Sequence, residues 1–189
     1  MLFRSFNYYN SASQSASRVD VTIANNLKKI KEQQMAAEAA KSPVAVYKGP
    51  DTYGTVVVSY PKTWSAYVDS TGRGQALLDG YFAPLVVPSI SDKGSVFALR
   101  IQVLNQAYAS VVQQQTSAQQ SGKVTISPYS LPKVPSVVGV KVVGNISSEK
   151  SGTLIILPLR DKTLQISTEG TQYLNDFNTY VLPSATFSP

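Results

Sequence analysis

The side chains able to do chemistry in this chain are few in kind. Neither cysteine nor histidine occurs among its 189 residues, which excludes thiolate nucleophiles, disulfides, haem attachment, the usual zinc ligand sets and imidazole acid–base catalysis together. Carboxylate, lysine, serine and tyrosine remain. The densest charged group is Arg160, Asp161 and Lys162, which reads either as a polar recognition tip or, more simply, as a solvated hairpin turn. Asp69, Asp79 and Asp92 could offer oxygen ligands, but they lack the alternating acidic and glycine spacing of a calcium loop. Glu169 and Asp176 flank a helix start, where Glu169 is expected to favour the helix N-terminus rather than form half of a carboxylate pair. Gly72 and Gly74 lack the strand-to-helix setting of a phosphate loop. Asn145 and Ser147 match a glycosylation acceptor, which matters only in a host with that machinery. No nucleophile has a recognisable activating neighbour. The expectation is a non-enzymatic protein with no cofactor and no metal site.

Binding is the other chemistry to weigh. Tyr60, Trp64, Tyr67, Tyr81 and Phe82 form an aromatic set that lines a ligand groove or a protein-contact rim on one reading and fills a core on the other. The net charge is +6. Residues 1–42 hold six cations against three anions, and the rest is spread thinly over the remaining chain. Only Lys28, Lys29 and Lys31 approach a cluster. They read as solvated helix charges, with nucleic-acid binding at the cell surface through this basic helix as the alternative function.

The elements that must position these residues follow from periodicity. Val19, Ile23, Leu27 and Ile30 make a narrow helical stripe that runs into an alanine-rich end near Ala40. A lone helix of this length is marginal in water, so the segment reads as a stalk or linker. This gives two parts: 1–42 as juxtamembrane segment and helical linker, and 43–189 as a globular domain.

Within that domain, Tyr53 to Tyr60 is a β-branched strand, with a hairpin turn expected at Pro61, Lys62 and Thr63 before Trp64 to Val68. Residues 69–95 are rich in glycine and proline and read as a long structured loop. Val96 to Leu104 alternates as a strand, and Asn105 to Gln120 switches to helical period with Tyr108, Val111, Val112, Gln115 and Ala118 on one face, stopped by Gly122. Val124 to Ile126, Val137 to Ile146 and Thr153 to Leu157 are further strands, separated by prolines and a polar turn. Leu164, Ile166 and Thr168 complete a hairpin. Tyr173, Leu174, Phe177, Tyr180 and Val181 mark a core-facing final helix ended by Pro183, with Phe187 folding back onto the sheet. Most strand connections are too short for parallel crossovers. The fold class is therefore α+β: an antiparallel sheet flanked by helices, preceded by a helical stalk.

Several of these motifs also form a family pattern. A strand ending in Tyr60 and Pro61 before Trp64, the strand from Phe97 to Val103 leading into a glutamine-rich helix, and a sheet closed by Thr171 to Leu182 with Phe187 resemble the PsbP-like fold over about residues 45–188. Asp79 to Phe82, Phe97 to Val103, Leu157 to Leu164 and Asp176 to Asn178 are similar to single-pass membrane proteins of candidate-phyla-radiation bacteria, including Saccharibacteria, that have no agreed activity. The resemblance implies a transmembrane helix, a helical linker and then this domain outside the cell. The membrane helix is absent from the sequence and would sit immediately before Leu2, where Leu2, Phe3, Phe6, Tyr8 and Tyr9 crowd around Arg4 as at a membrane boundary. The expected function is that of an extracytoplasmic, membrane-tethered domain binding or scaffolding another envelope or surface protein. The contacts would come from the aromatic set and from Arg160, Asp161 and Lys162.

Overall fold

The computed structural model describes residues 21–31, 33–34, 41–72, 74–147 and 150–189. The chain divides between Pro43 and Val44 into two units. In the first, residues 21–31 are helical, and Val21, Ile23, Leu27 and Ile30 are all exposed on it. Val19, the first twenty residues and the alanine-rich end at 35–40 lie outside the described residues.

The second unit is α+β. Strands β1 (Val44–Lys48) and β2 (Val57–Pro61) form a two-stranded antiparallel sheet. The remaining strands are β3 (Trp64–Asp69), β4 (Ala76–Pro84), β5 (Leu99–Leu104), β6 (Val124–Leu131), β7 (Val134–Ser147), β8 (Lys150–Leu159) and β9 (Lys162–Thr168). They make one antiparallel sheet in the order β3-β4-β5-β9-β8-β7-β6. Helix α1 (Tyr108–Gln120) connects β5 to β6.

Side-chain alternation explains the two layers. On β5, Leu99, Ile101 and Val103 are fully buried on one face, while Arg100, Gln102 and Leu104 point to the other. Strand β8 lies between β9 and β7 with both faces covered, so Leu154, Ile155, Ile156 and Leu157 are all buried in an unbroken apolar run. The first face carries the larger core, in which Phe82, Leu99, Ile101, Leu157 and Ile166 meet Phe177, Val181, Leu182 and Phe187 of the C-terminal segment. That segment is tied to β2 by the bridge between Val57 and Thr186 and by the Ser59 N–H donating to Ser184 Oγ at 2.7 Å. On the second face α1 covers a smaller core of Val111, Val124, Val142, Leu154 and Ile156.

Five expectations are corrected. Tyr53 to Val68 is not a hairpin: β2 pairs with β1 and β3 with β4, so Lys62 and Thr63 carry the chain between two sheets. Residues 69–95 are not one loop, because β4 occupies Ala76–Pro84 at their centre. Pro128 and Pro135 lie inside strands rather than between them, and Pro128 is tolerated because β6 is an edge strand whose outward N–H has no ladder partner to lose. The final helix is a succession of short turns, with a π-helical stretch over Phe177–Val181 and Pro183 within the last turn, Leu182–Ser184. The wider π turn shifts the apolar stripe, burying Phe177, Val181 and Leu182 while Tyr173, Leu174 and Tyr180 stay half-exposed. Finally, Glu169 does not serve a helix N-terminus. That segment starts from Gly170 with no side-chain cap, and the Glu169 carboxylate turns back onto the sheet.

Candidate functional site

The second face of the large sheet changes character from one end to the other. One row of facing residues runs Tyr67, Tyr81, Arg100, Ser167, Leu154, Val142, and the next runs Asp69, Asp79, Gln102, Gln165, Ile156, Val140. Helix α1 covers the apolar half. The polar half, built from β3, β4, β5 and the end of β9, is where ionisable side chains converge.

Arg100 is the hub. Its Nη2 donates to Asp79 Oδ2 at 2.7 Å and to Oδ1 at 3.0 Å, and its Nη1 donates to Glu169 Oε1 at 3.2 Å. The guanidinium also lies 4.7 Å over the Tyr81 ring. Glu169 is 5% exposed, and it accepts two further bonds, from Lys150 Nζ at 2.7 Å and from the Phe97 N–H at 3.2 Å. Gly152 makes this closure possible, because a Cβ there would fall 1.9 Å from the Thr168 carbonyl oxygen. Only glycine lets β8 approach β9 so closely just before Glu169. Asp79 accepts from Gln102 at 3.1 Å and from the Tyr81 hydroxyl at 2.7 Å. Burial and the hydrogen bond to that carboxylate push the Tyr81 hydroxyl up to about 12. A phenol so raised stays protonated and is a poor general base or nucleophile.

Beside the network lies a groove of about 290 Å³ between the sheet and α1, walled by Gln102, Gln106, Gln115 and Gln165 with Arg100 and Glu169 at its floor. A second cavity of about 230 Å³ is lined by Asp69, Ala76, Asp79, Tyr81 and Ile90. Ile90 also closes a third and larger cleft, of about 480 Å³, between Ser65, Ala66 and Tyr67 of β3 and the loop from Val86 to Ile90.

That loop is firmly held yet apolar at its tip. The Leu85 N–H donates to the Thr63 carbonyl at 3.0 Å, the Ser65 hydroxyl donates to the Leu85 carbonyl, and Ser95 Oγ donates to the Ser89 carbonyl at 2.7 Å. Leu85 and Val86 are nevertheless 79% and 75% exposed. Leu85 is moreover in the left-handed region, at φ 62°.

The aromatic set of the sequence is split by strand parity. Trp64 and Phe82 are buried on the first face, Trp64 against Tyr173 and Phe82 against Tyr47 and Tyr60. Tyr67 and Tyr81 are cross-strand partners on the second face, 6.3 Å apart, with Tyr81 stacked edge-on against Phe97. Arg160, Asp161 and Lys162 stand apart at the β8–β9 turn. Arg160 holds the left-handed position at φ 57°, and Lys162 pairs with its neighbour Asp161 at 2.8 Å. Lys28, Lys29 and Lys31 are exposed on the first unit's helix. Among the described residues no group of three or more acidic side chains is placed to hold a metal ion, and no helix is long and apolar enough to cross a membrane. Sequence reasoning missed Arg100, Lys150 and the 85–90 loop as site components. For Arg100 a signal existed: it is the one cation in an otherwise alternating Leu99, Ile101, Val103 strand.

No protein-family model matches the sequence, and no curated protein matches it. Among solved structures, the chain is similar to the solution structure of cyanobacterial PsbP (CyanoP) from Synechocystis sp. PCC 6803, at 9% identity and a TM-score of 0.41 over 77% of this chain and 92% of that one.

Proposed function

We propose that the second unit is a protein-interaction domain without catalytic activity, which docks its partner through β3 and the loop following β4. The observation that carries this reading is Leu85 with Val86: two aliphatic side chains exposed at a point where the backbone itself is left-handed. Holding an L-residue there costs about 1–2 kcal/mol, and leaving each side chain in water forgoes about 1.5–3 kcal/mol of burial. Folding alone would favour glycine at 85 and a polar residue at 86. The hydrogen bonds to Thr63 and Ser65 fix the tip in this costly state, as expected of a surface shaped for a partner.

Catalysis finds less support. Asp79, Glu169, Arg100 and Lys150 are bound to one another, and the hydroxyl among them is raised rather than activated. The setting we propose, on the sequence resemblance alone, is extracytoplasmic and membrane-tethered, with an envelope or surface protein as partner.

The docking reading is tested by placing a photo-crosslinking residue at Ile90 in the full chain expressed in its native host. A single crosslinked protein is expected, lost in the L85S/V86S variant at unchanged thermal midpoint. Crosslinking unaffected by L85S/V86S overturns the reading. Protease shaving of intact cells checks the setting: the domain is digested if extracytoplasmic, and its protection until lysis rules that setting out.

A further inference from the structure

We infer that the glutamine-lined groove between the sheet and α1 binds a neutral sugar. This goes beyond the docking reading and does not rest on it, since the groove shares no lining residue with the cleft beside β3.

Strand parity and helical period build the groove. Gln102 and Gln165 are cross-strand partners at the centres of β5 and β9, on the same face as the paired Arg100 and Ser167. From α1 comes Gln115, one turn after the buried Val111 and so on the face that covers the sheet. Where further hydrocarbon would extend the small core, the chain places amides instead. The rim is held in place: Gln114 Nε2 donates to Gln106 Oε1 at 3.4 Å, and Gln106 Nε2 donates to Gln75 Oε1. The backbone beneath them is fixed as well, by the Thr163 hydroxyl donating to the Gln106 carbonyl at 2.8 Å and the Asn105 N–H donating to the Gln75 carbonyl at 2.8 Å.

The inner groups are not so occupied. Gln102 Nε2 donates to Asp79 at 3.1 Å, which leaves its carbonyl oxygen as an acceptor. The side chains of Gln115, Gln165 and Ser167 have no hydrogen-bond partner among the described residues, although the two amides are half-buried and Ser167 is buried. Polar groups withdrawn from water without partners oppose folding. Their convergence on one cavity therefore points to a ligand that satisfies them.

Charge and shape narrow its chemistry. Arg100 pairs with Asp79 and Glu169, and Glu169 with Lys150, so the ions at the groove's floor balance one another. No charge is left to select a phosphate, a carboxylate or an ammonium group. Each free amide offers donors and an acceptor, and the serine hydroxyl offers both. The matching ligand donates and accepts at closely spaced, uncharged atoms, as the neighbouring hydroxyls of a sugar ring do. Leu104, Ile146 and Leu154 give its C–H face hydrocarbon to lie on, and about 290 Å³ accommodates a mono- or disaccharide.

The probes are glucose, galactose, mannose, N-acetylglucosamine, maltose and cellobiose, each titrated at millimolar concentration into the ¹⁵N-labelled full chain. Glucuronate, glucosamine and a capped alanine peptide are the controls. The expected result is that at least one neutral sugar shifts the side-chain amide signals of Gln102, Gln115 and Gln165, and that the controls bind more weakly. Gln115→Leu and Gln165→Leu should each weaken binding about ten-fold without lowering the thermal midpoint, while L85S/V86S binds sugar as wild type does. Absence of shifts with all six sugars overturns the inference. So does a charged control or the alanine peptide binding as tightly as the best sugar, or unchanged binding by both leucine variants. None of these outcomes touches the docking reading, which keeps its own crosslinking test.

Discussion

Along the row from Tyr67 through Tyr81, Arg100 and Ser167 to Leu154 and Val142, a single sheet face passes from charge to hydrocarbon. The apolar half is covered by α1 and packed as a core. The polar half is held by carboxylates and cations in mutual contact, with α1 reaching it at the glutamine-lined groove. The edge strands follow the same division: β6, beside the apolar half, is blunted by Pro128, whereas β3, beside the polar half, carries no proline and pairs regularly with β4. One half is finished for stability and the other is left available. A buried ion network rarely adds more stability than well-packed hydrocarbon of the same volume. Its use here is to hold β4, β5 and β9 in register under a surface that must stay uncovered.

The comparison breaks most visibly through packing. Ile156→Ala opens a cavity in the covered half and is expected to cost about 3–4 kcal/mol in urea unfolding. On the polar side, Glu169→Leu leaves Lys150 and Arg100 short of a carboxylate and should cost about 2–4 kcal/mol. Adding Lys150→Met to it should recover more than half of that loss. Recovery would show that the charges are not there for stability. If the double variant is no better than Glu169→Leu alone, the network is as structural as the hydrocarbon opposite, and the contrast between the halves fails.

The two halves also differed in how far the sequence revealed them. The apolar half was legible because its residues obey simple periods: the run of Leu154 to Leu157 and the spacing of Tyr108, Val111 and Val112 in α1. The polar half was obscured at β4, where Gly80 and Pro84 read as loop residues. Gly80 pairs within the strand with Val68 and Ile101, and a Cβ there would lie 3.2 Å from the Phe82 ring, while Pro84 ends the strand. With β4 unseen, Tyr81 and Phe82 could not be assigned to opposite faces, and five aromatics looked like one set. Pairing across long separations, such as Arg100 with Asp79 and Glu169, leaves no local trace at all. The strand at Phe97 to Val103 and the return of Phe187 to the core needed no such pairing to be read.

A smaller effect sharpens the contrast between a surface shaped for folding and one shaped for a partner. Leu85→Gly removes the left-handed strain and an exposed side chain together, and should raise stability by about 0.5–1 kcal/mol, since the relief of strain outweighs the added freedom of the unfolded chain. The same variant should weaken partner crosslinking. A loss of stability instead would mean that Leu85 packs usefully within its own chain, and the central argument for docking would fall.

The smallest expected effect concerns pH and belongs to the polar half alone. Burial and the Asp79 carboxylate raise the Tyr81 hydroxyl to about 12 in the folded protein, whereas in the unfolded chain it ionises near 10. Between these values the folded state keeps a proton that the unfolded state has lost. Stability from this group is therefore complete below about pH 10 and declines as pH rises through the folded value. Tyr81 is only partly buried, so solvent screening keeps the amount below about 1 kcal/mol. Tyr47, Tyr108 and Tyr129 are also raised by burial and act in the same direction, which makes the difference between wild type and Tyr81→Phe the informative quantity. Tyr81→Phe should lose less stability than wild type between pH 9 and 11, while showing lower stability at pH 7 through the lost bond to Asp79. Parallel pH profiles would mean that the hydroxyl is not held by Asp79, and that the polar half is looser than its hydrogen bonds imply.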